Sequence, residues 1–246
     1  MRDLRLTRRR LLFSTAPGVL GVTVLAACSS SSPAAPPTTP PPSPVPAASG
    51  AVAGDWRRVA MSYVSAYLLV RGGEVAIVDL GLSGSGPAIE DGLKAAGQDW
   101  RSVKHIVLTH LHDDHVGGLA EIAPRVTAAI YAGEGDLASI ISPEPLKPLQ
   151  DGDELFGMRV VNTPGHTLGH ISLFEPATGI LVAGDALRTE SGLAGSRPEF
   201  TADETQADAS VRKLAGLDVK AILCGHGEPL VAGAGPELKK LAAGLR

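Results

Sequence analysis

The sequence predicts an α+β fold, a mixed sheet or a pair of sheets with helices on the outside, and three observations lead to it. Short apolar runs of strand length outnumber the segments with helical spacing. The first two runs, Tyr67 to Val70 and Val75 to Val78, are joined through Gly72-Gly73 and read as an antiparallel hairpin. Helical spacing then recurs between some of the later runs, which places helices against a sheet instead of in a bundle of their own.

The later runs are Ile106 to Leu108, Thr127 to Tyr131, Met158 to Val161, Ile171 to Phe174, Ile180 to Ala183 and Ala221 to Leu223. Among the helical segments, Ile89, Leu93 and Ala96 share a face behind Pro87. The fixed φ and missing N–H of that proline suit a first helical turn. Ala207, Val211 and Leu214 share a second face, and Leu238, Leu241 and Leu245 close the chain. No internal repeat is present.

All of these elements lie in residues 51–246, because the first fifty residues cannot enter a core. Residues 1–27 hold Arg2, Arg5, Arg8, Arg9 and Arg10 against Asp3, followed by the mostly apolar stretch 11–27 with Pro17, Gly18 and Gly21. That stretch is shorter than the roughly 20 residues a bilayer core needs, so it reads as an export signal. Leu25-Ala26-Ala27 before Cys28 resembles a bacterial lipobox, which implies a lipid on Cys28 and a new N-terminus there. Two acyl chains anchor stably where one would exchange. Thr7-Arg8-Arg9-Arg10-Leu11-Leu12 resembles a twin-arginine signal, with the general export route as the alternative. Residues 28–50 continue as a tether. Positions 29–50 contain eight prolines, no charge and Val45 as the one large apolar side chain. Such a segment buries nothing, and at about 3.1 Å per residue in polyproline II it would reach roughly 70 Å. The expected location is the extracytoplasmic face of a cell membrane.

Removing the first fifty of 246 residues leaves 196, enough for one sizeable core. The whole chain carries −4, and residues 1–27 contribute +4 of positive charge, so the remainder carries −8. That balance argues against binding a phosphate backbone, and no nucleic-acid partner is expected. Two cysteines build no disulfide framework.

Groups able to hold a metal follow the apolar runs. After Val75 to Val78 comes Asp79; after Ile106 to Leu108 comes Thr109-His110-Leu111-His112-Asp113-Asp114-His115; after Met158 to Val161 comes Thr163-Pro164-Gly165-His166. Gly184-Asp185 follows Ile180 to Ala183, and Cys224-Gly225-His226-Gly227 follows Ala221 to Leu223. Five of the seven histidines lie in these segments, and strand ends that converge at one sheet edge would bring them together. In extended backbone His110 and His112 point to one side, so both rings can reach one ion, and the turn that follows offers Asp114 and His115 to another. Imidazole with carboxylate suits zinc first, then iron or manganese. Asp185 could bridge two ions, one on each oxygen. Glycines beside His166, Asp185 and His226 allow tight turns and close approach.

At these residues the sequence resembles the metallo-beta-lactamase superfamily. The match is H-x-H-x-D-H at His110, His112, Asp114 and His115, then His166, Asp185 and His226, behind the Asp79 turn, and it spans the chain from about Trp56 onward. The resemblance implies a four-layer αββα sandwich and two divalent metal ions. By it, His110, His112 and His166 hold the first ion, Asp114, His115 and His226 the second, and Asp185 bridges. Asp79 is expected to brace the ligand loop. His170 is expected to support the His166 loop, His105 to be an ordinary strand residue, Cys224 a small buried thiol and Asp113 solvated.

Two such cations lower the pKa of a bridging water toward neutrality. The expected function is therefore hydrolysis of a small ester, thioester or lactone by a metal-bridging hydroxide, with Asp114 orienting it and accepting its proton. The pairing of Asp185 with His226 resembles glyoxalase-II-like thioesterases and lactonases, although the chain ends about 20 residues after His226, without the extra helical substrate domain of glyoxalase II. A beta-lactam hydrolase, a mononuclear iron oxygenase acting on persulfides and a non-catalytic metal-binding accessory protein are the alternatives. No G-x-S-x-G nucleophile elbow is present to support a serine hydrolase. The walls expected for the pocket, residues 62–67 and 187–203, name no substrate, and the oligomeric state is left open. Replacing Cys28 with Ala should prevent lipidation and signal cleavage, moving the protein out of the detergent phase in phase partitioning and raising its mass by that of the uncleaved signal; unchanged partitioning and mass would refute the anchor.

Overall fold

The computed structural model describes residues 48–245; the export signal, Cys28 and the tether through residue 47 lie outside the described residues. The hydroxyl of Ser49 accepts the Ala60 N–H, and the first strand opens at Gly50.

Two sheets follow. The first takes β1 (Gly50–Ala53), β2 (Trp56–Met61), β3 (Val64–Arg71), β4 (Glu74–Val78), β5 (Val103–Leu108), β6 (Ala129–Gly133) and β7 (Leu146–Leu149), paired in that order. It is antiparallel from β1 to β4 and parallel from β4 to β7. Strands β8 (Glu154–Leu155), β9 (Met158–Asn162), β10 (Ile171–Glu175) and β11 (Ile180–Gly184) belong to the second sheet, followed by the ribbon of β12 (Leu187–Arg188) and β13 (Ala194–Gly195), then β14 (Ala221–Cys224). The second sheet runs β14-β11-β10-β9-β8 and is antiparallel except for β11 with β14. The helices are α1 (Gly86–Ala95), the short α2 (Asp113–Val116) and α3 (Leu119–Ile122), α4 (Glu204–Ala215) and α5 (Ala234–Gly244).

The two-residue period of the strands sorts the apolar side chains into three layers. In β3 and β4, Tyr67, Leu69, Ala76 and Val78 face the second sheet, where they meet Val160, Leu173, Val182 and Leu223. Their neighbours Ala66, Leu68, Val75 and Ile77 face outward onto Ile89 and Leu93 of α1 and Leu119 and Ile122 of α3. On the far side Leu181, Ala183 and Ile222 pack against Val211 and Leu214 of α4 and Leu238 of α5. Three apolar layers separate four structural ones, the αββα sandwich. Strands buried on both faces must be apolar throughout, which is why β4 and β11 read as unbroken apolar runs.

Pro87 stands in the first turn of α1 as expected, with Ile89 and Leu93 buried, while Ala96 caps its C-terminus. In α4 the carboxylate of Asp203 accepts the Gln206 N–H and caps the N-terminus. The run expected at Thr127 to Tyr131 is shifted to Ala129–Gly133, since pairing with β5 starts at His105 opposite Ala129. Strands β2 and β7 carry no clear apolar pattern. Arg57 and Arg58 interrupt the first, and Pro148, tolerated because β7 is an edge strand, interrupts the second.

The carboxyl ends of β4, β5, β9, β11 and β14 all point to one edge, so the polar segments after them meet there. At that edge the sheets are stitched by backbone bonds. Ile171 N–H donates to the Thr109 carbonyl and Ser65 N–H to the Gly225 carbonyl, both at 2.9 Å. The Tyr67 hydroxyl donates to the Cys224 carbonyl at 2.8 Å. Gly133, at the end of β6, packs so closely on Gly169 that a Cβ there would overlap the Gly169 carbonyl oxygen. The Gly133→Ala protein is therefore expected to lose about 1–3 kcal/mol of stability through overpacking, read as a lower urea midpoint with unchanged slope; a midpoint within error of the parent would show that the two backbones can part freely.

Candidate metal centre

All seven side chains anticipated as ligands converge. Three groups of donor atoms, His110 with His112 and His166, His110 with His115 and Asp185, and Asp114 with His115 and His226, each lie within 4.8 Å of one another. His110 and His112 come from the loop after β5, and His166 reaches them from the loop after β9. His115 lies in α2, whose single turn brings its ring back to within 4.1 Å of that of His110 and presents Asp114 toward His226. Asp185 stands between the two halves. Its Oδ2 is 3.5 Å from His166 Nε2 and 3.1 Å from His226 Nε2, and its Oδ1 is 3.3 Å from His115 Nε2. The glycines beside His166, Asp185 and His226 have φ of +128° at Gly165, +52° at Gly184 and +93° at Gly227, a region closed to most side chains.

The bonds on the outer side of the rings fix which nitrogen faces inward with a lone pair. Asp79 accepts three hydrogen bonds, from Thr109 N–H at 2.7 Å, from the Thr109 hydroxyl at 2.8 Å and from His115 Nδ1 at 2.8 Å. Since the Thr109 hydroxyl directs its proton to Asp79, it accepts one from His110 Nδ1 at 3.0 Å. The Tyr63 carbonyl accepts from His226 Nδ1 at 2.9 Å. His110, His115 and His226 thus each direct Nε2 to the centre. Asp79 braces two ligands as expected, at the cost of a left-handed backbone with φ +62°.

This arrangement needs a cation. His112 Nδ1 lies 3.1 Å from His110 Nε2 and 3.0 Å from His166 Nε2, so three ring nitrogens with at most two protons among them crowd one point. His115 Nε2 and Asp185 Oδ1 are buried and without hydrogen-bond partners. Lone pairs aimed at one another are unfavourable unless a positive charge lies between them. The donor set, imidazole nitrogen and carboxylate oxygen, fits zinc, iron or manganese.

Electrostatics divide the centre. Burial pushes the pKa of His110 well below its usual value and that of His166 down to about 4, so these rings are neutral donors. In the other half burial opposes protonation of His115, but the Asp185 and Asp79 carboxylates overcome it and hold its pKa well above the usual value. Burial is likewise outweighed at His226, which hydrogen bonds to Asp114 and Asp185 push up to about 10. Asp185, despite burial, is held well below the carboxylate range by His115 and His226. This half is an anionic pocket in which protons and metal ions compete for the same lone pairs.

His170 is buried and binds no member of the cluster with a free lone pair; its Nε2 accepts the Asp185 N–H at 3.0 Å and its Nδ1 donates to the Thr163 hydroxyl at 2.8 Å. It therefore supports Asp185 by its ring, while its carbonyl accepts the Thr163 N–H at the start of the His166 loop. Cys224 is a buried thiol whose pKa burial pushes up. Asp113 is exposed. His105 lies on β5 against Tyr131 and Phe156, far from the cluster in the chain's pairing.

Two contributors carry no sequence expectation, and a third, Tyr63, was expected only among the pocket walls. Asp136 is buried and its carboxylate accepts Leu111 N–H, the Thr167 hydroxyl and Gly169 N–H, tying the His110–His115 loop to the His166–His170 loop. It follows β6 as Asp79 follows β4, so the same strand-end rule would have found it. Arg58, buried on β2, donates to the Ser65 hydroxyl, the Gly227 carbonyl and Glu228, and so braces the loop of His226. Tyr63 stacks on His226 with ring planes 8° apart.

Comparison with known proteins agrees with this geometry. The family described as metallo-beta-lactamase superfamily matches residues 60–226. The chain belongs to that superfamily. Its members are metal-dependent hydrolases. The chain is 29% identical over 199 residues to a probable metallo-hydrolase, YflN, of Bacillus subtilis, covering 63% of this chain and 75% of that one. It is 34% identical over 168 residues to a hydroxyacylglutathione hydrolase of Acidiphilium cryptum, covering 65% of this chain and 63% of that enzyme. Of the Idiomarina loihiensis hydroxyacylglutathione hydrolase it spans 49%, at 35% identity. The solved metallo-beta-lactamase family protein of Thermus thermophilus matches with a TM-score of 0.62 and 27% identity over 76% of this chain and 77% of that one. Subclass B3 beta-lactamases, such as MEM-A1 at 22% identity and TM-score 0.61, share the fold.

Asp79→Asn keeps the shape but places an N–H₂ group against donors. Metal retention in the His115 half is expected to fall about 10–100-fold, measured by chelator competition, with a smaller change in the His110–His112–His166 group. Equal loss in both groups, or none, would remove Asp79 from this role.

Proposed function

We propose that the protein is an exported, membrane-anchored hydrolase that uses two divalent ions, zinc foremost, to cleave an ester, thioester or lactone of a small molecule. The observation that carries the dinuclear reading is Asp185, whose carboxylate lies within 3.5 Å of His166 from one group of donors and of His115 and His226 from the other. In this reading His110, His112 and His166 would hold one ion, Asp114, His115 and His226 would hold the other, and Asp185 would serve both. Divalent ions so held lower the pKa of water toward neutrality and polarise a carbonyl oxygen.

The chain's own groups then do the rest. Asp114 is part-exposed at the mouth, with Oδ2 3.2 Å from His226 Nε2. Burial tends to raise its pKa, but the hydrogen bond with His226 and the charge of His115 outweigh that and lower it. It is therefore ionised at neutral pH, able to orient an attacking water and to accept its proton. Tyr63 and Phe200 wall the opening and limit access by bulk water. Relatives named hydroxyacylglutathione hydrolases support acyl transfer to water as the reaction, and the lipobox-like segment before Cys28 supports the anchor.

Metal analysis of purified protein is expected to give about two ions per chain, falling toward one in His226→Ala and weakening at both positions in Asp185→Ala. On a panel of esters, thioesters and lactones, chelation should abolish turnover and zinc should restore it, while Asp114→Asn should lower kcat about 10²–10⁴-fold. A constant single ion that His226→Ala leaves in place would overturn the dinuclear reading, and turnover that survives chelation would overturn the metal chemistry altogether.

A further inference from the structure

The two groups of ligands differ in the charge around them. Asp79, Asp114 and Asp185 all lie against His115 or His226. The group of His110, His112 and His166 has only a share in these carboxylates. Asp185 Oδ2 is 3.5 Å from His166 Nε2, and Asp79 reaches His110 through the Thr109 hydroxyl. Three neutral imidazoles leave the charge of a cation uncompensated, and a carboxylate close behind them would answer it.

Asp136 is placed to do so. It is 0% exposed and, among the described residues, forms no ion pair; it accepts hydrogen bonds from the Leu111 N–H at 3.0 Å, the Thr167 hydroxyl at 2.6 Å and the Gly169 N–H at 2.7 Å. A buried charge surrounded by neutral donors is costly unless a cation lies near.

The hydrogen bonds also lead to the ligands. Leu111 stands between His110 and His112, and Thr167 follows His166. Their loops leave different strands, and the rings meet across the gap, with His112 Nδ1 3.0 Å from His166 Nε2. One oxygen, Asp136 Oδ2, holds both Leu111 and Thr167. That oxygen has little room to drift. A Cβ on Gly169 would overlap the Asp136 backbone nitrogen, and one on Gly135 would lie 3.0 Å from the Gly169 Cα. Backbone packed this closely fixes the brace before any ion arrives.

Resting on the two-ion reading above, we propose that Asp136 is a positioning residue for the ion of the His110–His112–His166 group. It does not touch the ion. It sets the spacing of two loops from one oxygen and places a negative charge behind three neutral rings. Asp79 and Asp136 then govern the two ion positions separately, one from the end of β4 and the other from just beyond β6.

Zinc affinity, measured by chelator competition, tests each position in turn. His226→Ala leaves the first position to be read alone, and His112→Ala leaves the second. In the His226→Ala protein, adding Asp136→Asn should weaken zinc about 10–100-fold. In the His112→Ala protein the same change should leave the affinity within about twofold. A merely structural role would lower both alike, so the ratio of the two losses is the reading that decides. Should Asp136→Asn not fold, Thr167→Val removes one hydrogen bond and keeps the charge. It should weaken the first position about fivefold, the scale of a single hydrogen bond, and spare the second. The inference is overturned if Asp136→Asn, or Thr167→Val in its place, leaves the first position as tight as in its parent or weakens both positions equally. Failure of the two-ion reading is a different result, a His226→Ala protein that retains two ions or none, and it takes this inference with it.

Discussion

The structure depends on holding electron-rich atoms together where they would otherwise repel. His110, His112 and His166 bring ring nitrogens to within 3.0–3.1 Å, and Asp185 sets its oxygens among His115, His166 and His226, where only a proton or a metal ion keeps the lone pairs from repelling. Such a cluster cannot be stable by itself, so the surrounding chain has to over-determine it. Asp79 and Thr109 orient His110 and His115, His170 fixes the backbone of Asp185, and Asp136 locks two ligand loops together. Each brace is itself satisfied. His170 passes its proton to Thr163, which lies 3.0 Å from the Ser172 hydroxyl, and Ser172 donates to the Ala183 carbonyl. The rigidity of β9, β10 and β11 is in this way conveyed to a carboxylate at the end of β11.

The seven converging donors were legible in the sequence because motif and topology coincide. Each lies within a few residues of an apolar run, and strand ends gather at one edge. The outer architecture was legible for the same reason, since β3, β4, β10 and β11 are apolar on both faces. What escaped was whatever depends on distant partners. Arg58 lies in a strand that its own charge disguises, and its burial makes sense only beside Gly227 and Glu228. The stacking of Tyr63 on His226 follows from the hairpin between β2 and β3 folding over a loop near the end of the chain, which no local pattern encodes. Asp136 escaped because the run before it reads as ending at Tyr131, five positions short of it, whereas β6 continues to Gly133.

Function divides along a similar line. The centre is shared with a superfamily of many hydrolases, so its ligands identify a chemistry and leave the substrate open. The walls come from elsewhere, with Glu190 between β12 and β13, Arg197 and Phe200 after β13, Tyr63 from the hairpin of β2 and β3 and Leu168 from the loop of His166. Those segments are short and irregular, with four residues of strand between them in the ribbon.

The clamp on the His226 loop has a consequence for how the protein is made. Arg58 and Glu228 are 170 positions apart, and Tyr63 and His226 are 163 apart. A chain leaving the ribosome N-terminus first exposes β2 and β3 early and must wait for nearly all of the remaining sequence before their partner emerges. His110, His112 and His166 can assemble while synthesis continues; the half of the centre that contains His226 cannot. The two halves are thus ordered in time by their positions along the polypeptide, and the second is completed only after the segment carrying His226 and Glu228 has emerged.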